Sequence, residues 1–184
     1  MKWLNLDLKK VSGLIAGIMI GLMLLGGRGT LGASPAYAAA PILQTEEGIR
    51  LEYFLQRQQL WLAGQQNRLD QARQYVTITQ PFLAELKAQG KDTSTLEAAL
   101  TNFSSQIQAA QASHDAAKQI LEAKAGFDAN GQVTDPQQAR ETLRTARQPM
   151  LEAQLTMKQA IMDLRQVIRD FRQANRENKP GETE

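Results

Sequence analysis

The stretch that decides the fold is residues 94–121, STLEAALTNFSSQIQAAQASHDAAKQIL. Its apolar and small residues recur at alternating steps of four and three positions. This spacing places them on one face of an α-helix, and it is typical of helices that pack lengthwise as in a coiled coil. The members of this seam are Leu96, Leu100, Phe103, Ile107, Ala110, His114, Ala117 and Leu121.

Two flanking segments carry related patterns. Upstream, within 43–89, apolar residues recur every seven positions, at Leu55, Leu62, Leu69, Val76 and Leu83. Downstream, within 136–176, the 4-3 rhythm returns at Met157, Ile161, Leu164, Ile168 and Phe171. Residues that favour helices dominate both segments, and the alternating pattern of a strand is absent from the sequence. The pattern therefore predicts three long helices.

The first break between these segments is Gln-Gly-Lys-Asp at 89–92. Gly90 can adopt the left-handed conformation that commonly ends a helix. Ser94 and Glu97 have the spacing of a capping box, in which each side chain bonds the other residue's backbone N–H. The sequence predicts a tight link here.

The second break covers 126–135. Gly126 is expected to end the second helix, and Asn130-Gly131 is a common turn sequence. Asp135 followed by Pro136 is typical of a helix start, since aspartate caps free N–H groups and proline fits the first helical position.

Short links force neighbouring helices to run antiparallel. We therefore predict an all-α, elongated, antiparallel up-down-up three-helix bundle, coiled-coil-like, over residues 39–178, with a disordered tail at 179–184. Pro81 lies inside the first segment, and Pro149 lies inside the third. Proline removes a helical hydrogen bond, so Pro81 could split the first helix and give four. We favour three helices with a kink.

The first 38 residues have the pattern of a signal peptide. A basic start is followed by an apolar run from Val11 to Leu25, and Ala36-Tyr37-Ala38 supplies small residues at a cleavage site. The run is shorter than the roughly 20 residues that span a bilayer, so we expect cleavage after Ala38 and an extracytoplasmic protein, either secreted, periplasmic or at the cell surface. The alternative is an uncleaved anchor that makes the protein a membrane-tethered spacer.

Charge and cysteine content exclude several functions. The signal holds four basic residues and one acid, which leaves 17 basic and 18 acidic residues in a nearly neutral mature chain. This charge gives no support for nucleic-acid binding. The chain contains no cysteine, so thiolate catalysis and cysteine-ligated metals are excluded. No catalytic set is recognisable, so we expect a non-enzyme without a cofactor. Charged pairs such as Arg140 and Glu141 are interpreted as a solvated helix face.

Fold-back arithmetic predicts an interaction site. If the chain reverses at 89–94, residue 125 lies near residue 58, and the first helix extends about 15 residues beyond the second. That overhang carries several large apolar groups, which rarely stay in water. The 126–135 loop could cover some of them, and a protein partner or a second protomer could cover the rest. The expected interaction anchors are Tyr53, Phe54 and Trp61.

Two weaker motifs suggest a carrier of metal or ligand. Asp128, Asn130 and Thr134 resemble part of a calcium-binding EF-hand loop, although the first and last acidic ligands are missing. His114 is the only histidine, and fold-back places it near Met150, a pair that could ligate haem without covalent attachment. The alternatives are an ordinary Asn-Gly turn and a hydrogen-bonded core histidine.

One short segment resembles a known family. Leu155-Thr156-Met157-Lys158-Gln159 resembles the Leu-Thr-x-x-Gln motif of Spy-like periplasmic chaperones, which are also small, secreted and all-helical. That family carries the motif twice, at helix starts, whereas this chain has it once, in mid-helix. The resemblance implies a chaperone-like activity. We therefore expect a protein-interaction, scaffold or chaperone-like module.

Overall fold

A computed structural model describes residues 45–177, and within them the protein is all-helical. Three α-helices follow one another: α1 spans Glu46–Ala88, α2 spans Ser94–Ala123 and α3 spans Pro136–Glu177. The all-helical class and the number of helices are confirmed. Residues 1–38 and 179–184, where we expect a signal peptide and a disordered tail, lie outside the described part. None of the three helices is both long and apolar enough to cross a membrane.

The link between α1 and α2 is closed by backbone hydrogen bonds around Gly90. Gly90 adopts a φ of 76°, as predicted. Its N–H donates to Lys87 O at 2.9 Å, and the N–H of Lys91 donates to Leu86 O at 3.1 Å. These two bonds form a Schellman motif, which satisfies the carbonyls that the end of a helix leaves free.

The N-cap of α2 lies one residue before the predicted one. Thr93, not Ser94, is the N-cap, and Ser94 is the first helical residue. The reason is that Asp92 Oδ1 accepts the N–H of Ser94 at 3.0 Å. Thr93 Oγ1 meanwhile donates to Glu97 Oε1 at 2.7 Å. Asp92 thus accepts the N–H of Ser94, and Glu97 bonds the Thr93 hydroxyl instead of the Ser94 backbone.

The end of α2 also differs from the prediction. The left-handed C-cap residue of α2 is Lys124, with a φ of 49°, rather than Gly126. The start of α3 is as predicted: Asp135 Oδ1 accepts the N–H groups of Gln137 and Gln138 at 2.9 and 3.0 Å. Pro136 is the first residue of α3.

Hydrogen bonds between helices fix their relative directions. Gln58 and Gln65 of α1 donate to Leu143 O and Met150 O of α3, so both partners advance by seven residues together. These two helices therefore run parallel. α2 runs antiparallel to α1, because Arg73 reaches Gln111 while Lys87 pairs with Glu97 nearer the α1–α2 link.

The core lies along most of the predicted seams, although Val76, Ile168 and Phe171 are only half-buried. Every seam residue of α2 is buried. In α3, alanines are buried at every seventh position, at Ala139, Ala146, Ala153 and Ala160. α2 and α3 share the most extensive contact among the helices. Small residues on facing helices allow the helix axes to approach closely. α1 covers this pair with larger side chains, including Leu55, Leu62 and Leu69.

Pro81 does not divide α1, which continues from Glu46 to Ala88 as one helix. The alternative of four helices is therefore wrong. The hydroxyl of Thr79 donates to Tyr75 O at 2.7 Å, and that of Thr77 donates to Arg73 O at 3.4 Å. These bonds use the backbone carbonyls of the preceding turn, so β-branched threonines can sit inside the helix just before the proline.

Candidate interaction site

The inner face of the first turns of α1 is covered by the loop between α2 and α3. Leu51 and Leu55 are buried in one cluster with Phe127 of that loop, and Val133 packs against the same cluster. Glu52 Oε1 accepts the N–H of Val133 at 3.0 Å. The loop is itself held by an antiparallel bridge between Phe127 and Val133. The part of α1 that extends beyond α2 is thus anchored on one side.

The outer face of the same turns is apolar and open. Its large side chains keep 46 to 74% of their surface exposed, and they are Ile49, Tyr53, Phe54 and Leu60. We name these four residues the outer patch. The rings of Tyr53 and Phe54 lie 6.0 Å apart, tilted by 58°. Trp61, the third expected anchor, is half-buried and packs against the core. The use of Tyr53, Phe54 and Trp61 as anchors stays a prediction.

A groove of about 720 Å³ lies between the first turns of α1 and those of α3. Its apolar lining is Leu51, Phe54 and Leu143. Four arginines and two glutamates surround this lining: Arg50, Arg140, Arg144, Arg147, Glu46 and Glu47. Phe54 belongs to both the groove and the outer patch, so the two surfaces are continuous.

Two of the four arginines are paired. Arg140 forms a salt bridge with Glu47 across the groove. Arg144 pairs with Glu141 through two hydrogen bonds, of 2.6 and 2.9 Å, which hold the pKa of that carboxyl below its usual value. Arg50 and Arg147 form no ion pair within residues 45–177. Glu46 is also outside any ion pair among the described residues, so the groove keeps one net positive charge.

The groove was not predicted from the sequence, because the charges of α3 were interpreted as a solvated helix face. Arg140, Arg144 and Arg147 are spaced by four and three residues, which places them on one side of a helix. That spacing could have indicated a basic cluster on α3 from the sequence alone. The position of Arg50 opposite them depends on how α1 and α3 pack, which spacing alone does not give.

His114 belongs to a buried polar network that joins all three helices. Its Nδ1 lies 3.0 Å from Gln65 Oε1, while Gln65 Nε2 donates to Met150 O at 3.0 Å. Since the Gln65 oxygen accepts, Nδ1 must carry the proton. Burial lowers the pKa of His114, and nearby Asp115 opposes this shift. Fold-back correctly brings His114 and Met150 to the same level, but Nδ1 is engaged by an amide. The haem hypothesis stays an untested prediction.

The loop proposed for calcium uses its main acidic ligand internally. Asp128 Oδ1 accepts the N–H groups of Asn130 and Gln132, each at 2.8 Å. The backbone N–H of Thr134 donates to Gly126 O at 2.9 Å. Residues 45–177 contain no group of three or more histidine or acidic side chains that could hold a metal. Calcium binding by Asp128, Asn130 and Thr134 stays a prediction that these hydrogen bonds do not favour.

Comparisons with known proteins found no match for this chain. No family model matches the chain, and no curated protein or solved structure matches it. Within the segment that resembles the chaperone motif, Leu155 is exposed, Met157 is buried and Gln159 donates to Asp163 of the same helix.

Proposed function

We propose that the protein is a non-enzymatic helical bundle that binds other proteins through the beginning of α1. The outer patch carries this proposal, because four large apolar side chains are exposed within about three helical turns. Exposed apolar side chains grouped in this way are typical of interaction sites. Aromatic side chains such as Tyr53 and Phe54 are enriched at the centres of such interfaces.

The remaining structure supports a scaffold role for this patch. The inner face of α1 is fixed by the loop through Leu55, Phe127 and Val133, so the outer face is presented by an ordered helix. Binding to an ordered surface costs less conformational entropy than binding to a flexible segment. The seven-residue spacing of buried alanines in α3 further favours a coiled-coil-like, elongated bundle.

We propose that this module acts outside the cytoplasm. The support is the pattern of residues 1–38, with its basic start, its apolar run and Ala36-Tyr37-Ala38. N-terminal sequencing of the exported protein checks this directly. A sequence beginning at Ala39 supports cleavage, whereas a chain that still begins at Met1 and stays with the membrane supports the tethered alternative.

The test of protein binding is site-specific photo-crosslinking in cells that express the full chain. The variants Tyr53→p-benzoylphenylalanine and Leu60→p-benzoylphenylalanine place a reactive ketone on the outer patch. We expect both to form discrete protein adducts, since a bound partner holds its C–H bonds against these side chains. An adduct of twice the chain mass identifies a second copy, and any other mass identifies a foreign partner.

A matched control places the same reactive group at Asn102, an exposed position of α2 near the other end of the bundle. We expect no discrete adduct there. Equal labelling at Asn102 and Tyr53, or no adduct from either position of the outer patch, contradicts the proposal. Light scattering over a concentration series then tells whether the second copy binds in solution.

A further inference from the structure

We propose that the groove between α1 and α3 binds an acidic, partly apolar polypeptide segment of the partner. This inference rests on the proposed protein-binding function and assigns the chemistry of its ligand. The groove adjoins the outer patch through Phe54, so one partner can occupy both surfaces.

Charge is the first argument. The groove is lined by four arginines but only two glutamates. Internal pairing engages Arg140 and Arg144 and leaves Arg50 and Arg147 without an ion pair among the described residues. A guanidinium presents a planar set of donors that matches a carboxylate in a bidentate manner. Aspartate or glutamate side chains of a partner are therefore the complementary groups.

An unsatisfied polar atom in the groove is the second argument. Gln58 donates from Nε2 to Leu143 O at 3.1 Å, which fixes the orientation of its amide. Its Oε1 is buried and has no hydrogen-bond partner among the described residues. A buried acceptor without a donor costs free energy. Because this oxygen is closed off from solvent, a polypeptide N–H group reaches it only when the Gln58 side chain shifts on binding.

Shape is the third argument, and it favours a polypeptide over a membrane surface. The apolar floor is recessed between two helices, since Leu51 and Leu143 are buried while the arginines around them are exposed. A flat bilayer surface reaches the arginines but not this floor. A narrow segment with apolar side chains enters the groove and replaces the water above it. The volume of about 720 Å³ accommodates a few side chains of such a segment.

The inference is tested by fluorescence anisotropy with the full chain and two labelled synthetic peptides. The first peptide contains leucine at helical spacing with glutamate and glutamine between, and the second has lysine in place of every glutamate. We expect the acidic peptide to bind and the basic peptide not to bind. Binding should weaken with added salt, because exposed charge pairs are screened.

Two variants place the binding in the groove. Arg50→Gln with Arg147→Gln removes the two arginines without an ion pair at exposed positions, so the fold should persist. We expect the dissociation constant of the acidic peptide to rise about three- to tenfold, as for two solvent-exposed charge pairs. Arg169→Gln is the control, since it removes one charge of the same kind from α3 about 33 Å beyond Arg147 along the helix. It should leave the dissociation constant unchanged.

Three results would overturn the inference. These are no binding of the acidic peptide, equal binding by the double variant and the wild type, or binding of phosphatidylglycerol vesicles in place of the peptide. Crosslinks at Tyr53 without peptide binding would remove the groove inference and leave the proposed function intact. Peptide binding without crosslinks would retain the groove and remove the role of the outer patch.

Discussion

At Gly126 the chain passes so close to the start of α3 that a side chain has no room. A Cβ atom at this position would lie 2.2 Å from Ala139 N and 2.7 Å from Asp135 O. The residue also has a φ of 83°, which L-residues with side chains rarely adopt. Its carbonyl accepts the N–H groups of Thr134 and Asp135. The close approach thus joins the loop to the first turn of α3.

We expect Gly126→Ala to lower the free energy of unfolding by about 2–4 kcal/mol, from positive-φ strain together with the displacement of α3 backbone. Urea unfolding followed by circular dichroism measures this change. Gly90→Ala is the matched control, because Gly90 shares the positive φ but has no atom within 4 Å of an added Cβ. It should cost about 1 kcal/mol. Equal losses for the two variants would show that steric contact at Gly126 is unimportant.

At the scale of the helices, the contact between α2 and α3 depends on small side chains. Ala117 and Ala146 belong to the same buried cluster, and each is fully buried. Because α2 and α3 pack side by side over this surface, larger groups would push the two helices apart. Exposed alanines on the opposite face of α2, such as Ala112, are under no such limit.

We therefore expect Ala146→Leu to destabilise the protein by about 1–3 kcal/mol, the usual cost of overpacking a filled core. The control Ala112→Leu adds the same volume at an exposed helical position and should change stability by less than about 0.5 kcal/mol. Thermal unfolding of both variants provides the comparison. A fully tolerated Ala146→Leu would mean that α2 and α3 are less closely packed than described.

The helices themselves were predictable because their signals are local. The seven-residue repeats place the helices, and Gly90, Asp135 and Pro136 mark where they end and begin. The bounds 43–89, 94–125 and 136–176 lie within three residues of those observed. Propensity and capping act within a few residues, so the sequence alone contains them.

What the sequence did not predict depends on contacts between distant residues. Gly126 is also a typical helix-ending residue, so nothing local shows that its real constraint is the backbone of Ala139. The bond between Glu52 and Val133 and the meeting of Arg50 with the arginines of α3 require the packed bundle. Glycine is preferred at left-handed helix ends only statistically, and α2 has Lys124 there instead.

At the scale of the whole molecule, the network of Gln65, His114 and Met150 makes stability depend on pH. Burial lowers the pKa of folded His114 from its ordinary value of 6.5, and Lys118 and Arg73 act in the same direction, against Asp115 and Asp70. As the pH falls below about 6.5, the unfolded chain takes up a proton that the folded chain resists. The free energy of unfolding must then decrease.

We predict a loss of stability between about pH 6.5 and the lower pKa of the folded state, with a slope of at most about 1.4 kcal/mol per pH unit. His114 is the only histidine, so no other side chain with an ordinary pKa titrates in this range. Urea unfolding at several pH values measures the slope. His114→Gln keeps a hydrogen-bond donor for Gln65 and should remove the slope. If the slope persists in this variant, another group is responsible for the pH dependence.

The evenly repeated alanines of α3 do not by themselves determine how α1 is aligned along α3. The hydrogen bonds of Gln58 and Gln65 to carbonyls of α3 favour one alignment. Because buried alanines recur every seven residues, α1 could slide along α3 by one repeat with little change in apolar packing. Sliding one way would move Gln65 into the buried site of Ala72, away from His114. Sliding the other way would set Ala72 against His114 and leave its Nδ1–H without an acceptor. The polar bonds therefore favour a single alignment, together with the short α1–α2 link and the bond between Glu52 and Val133.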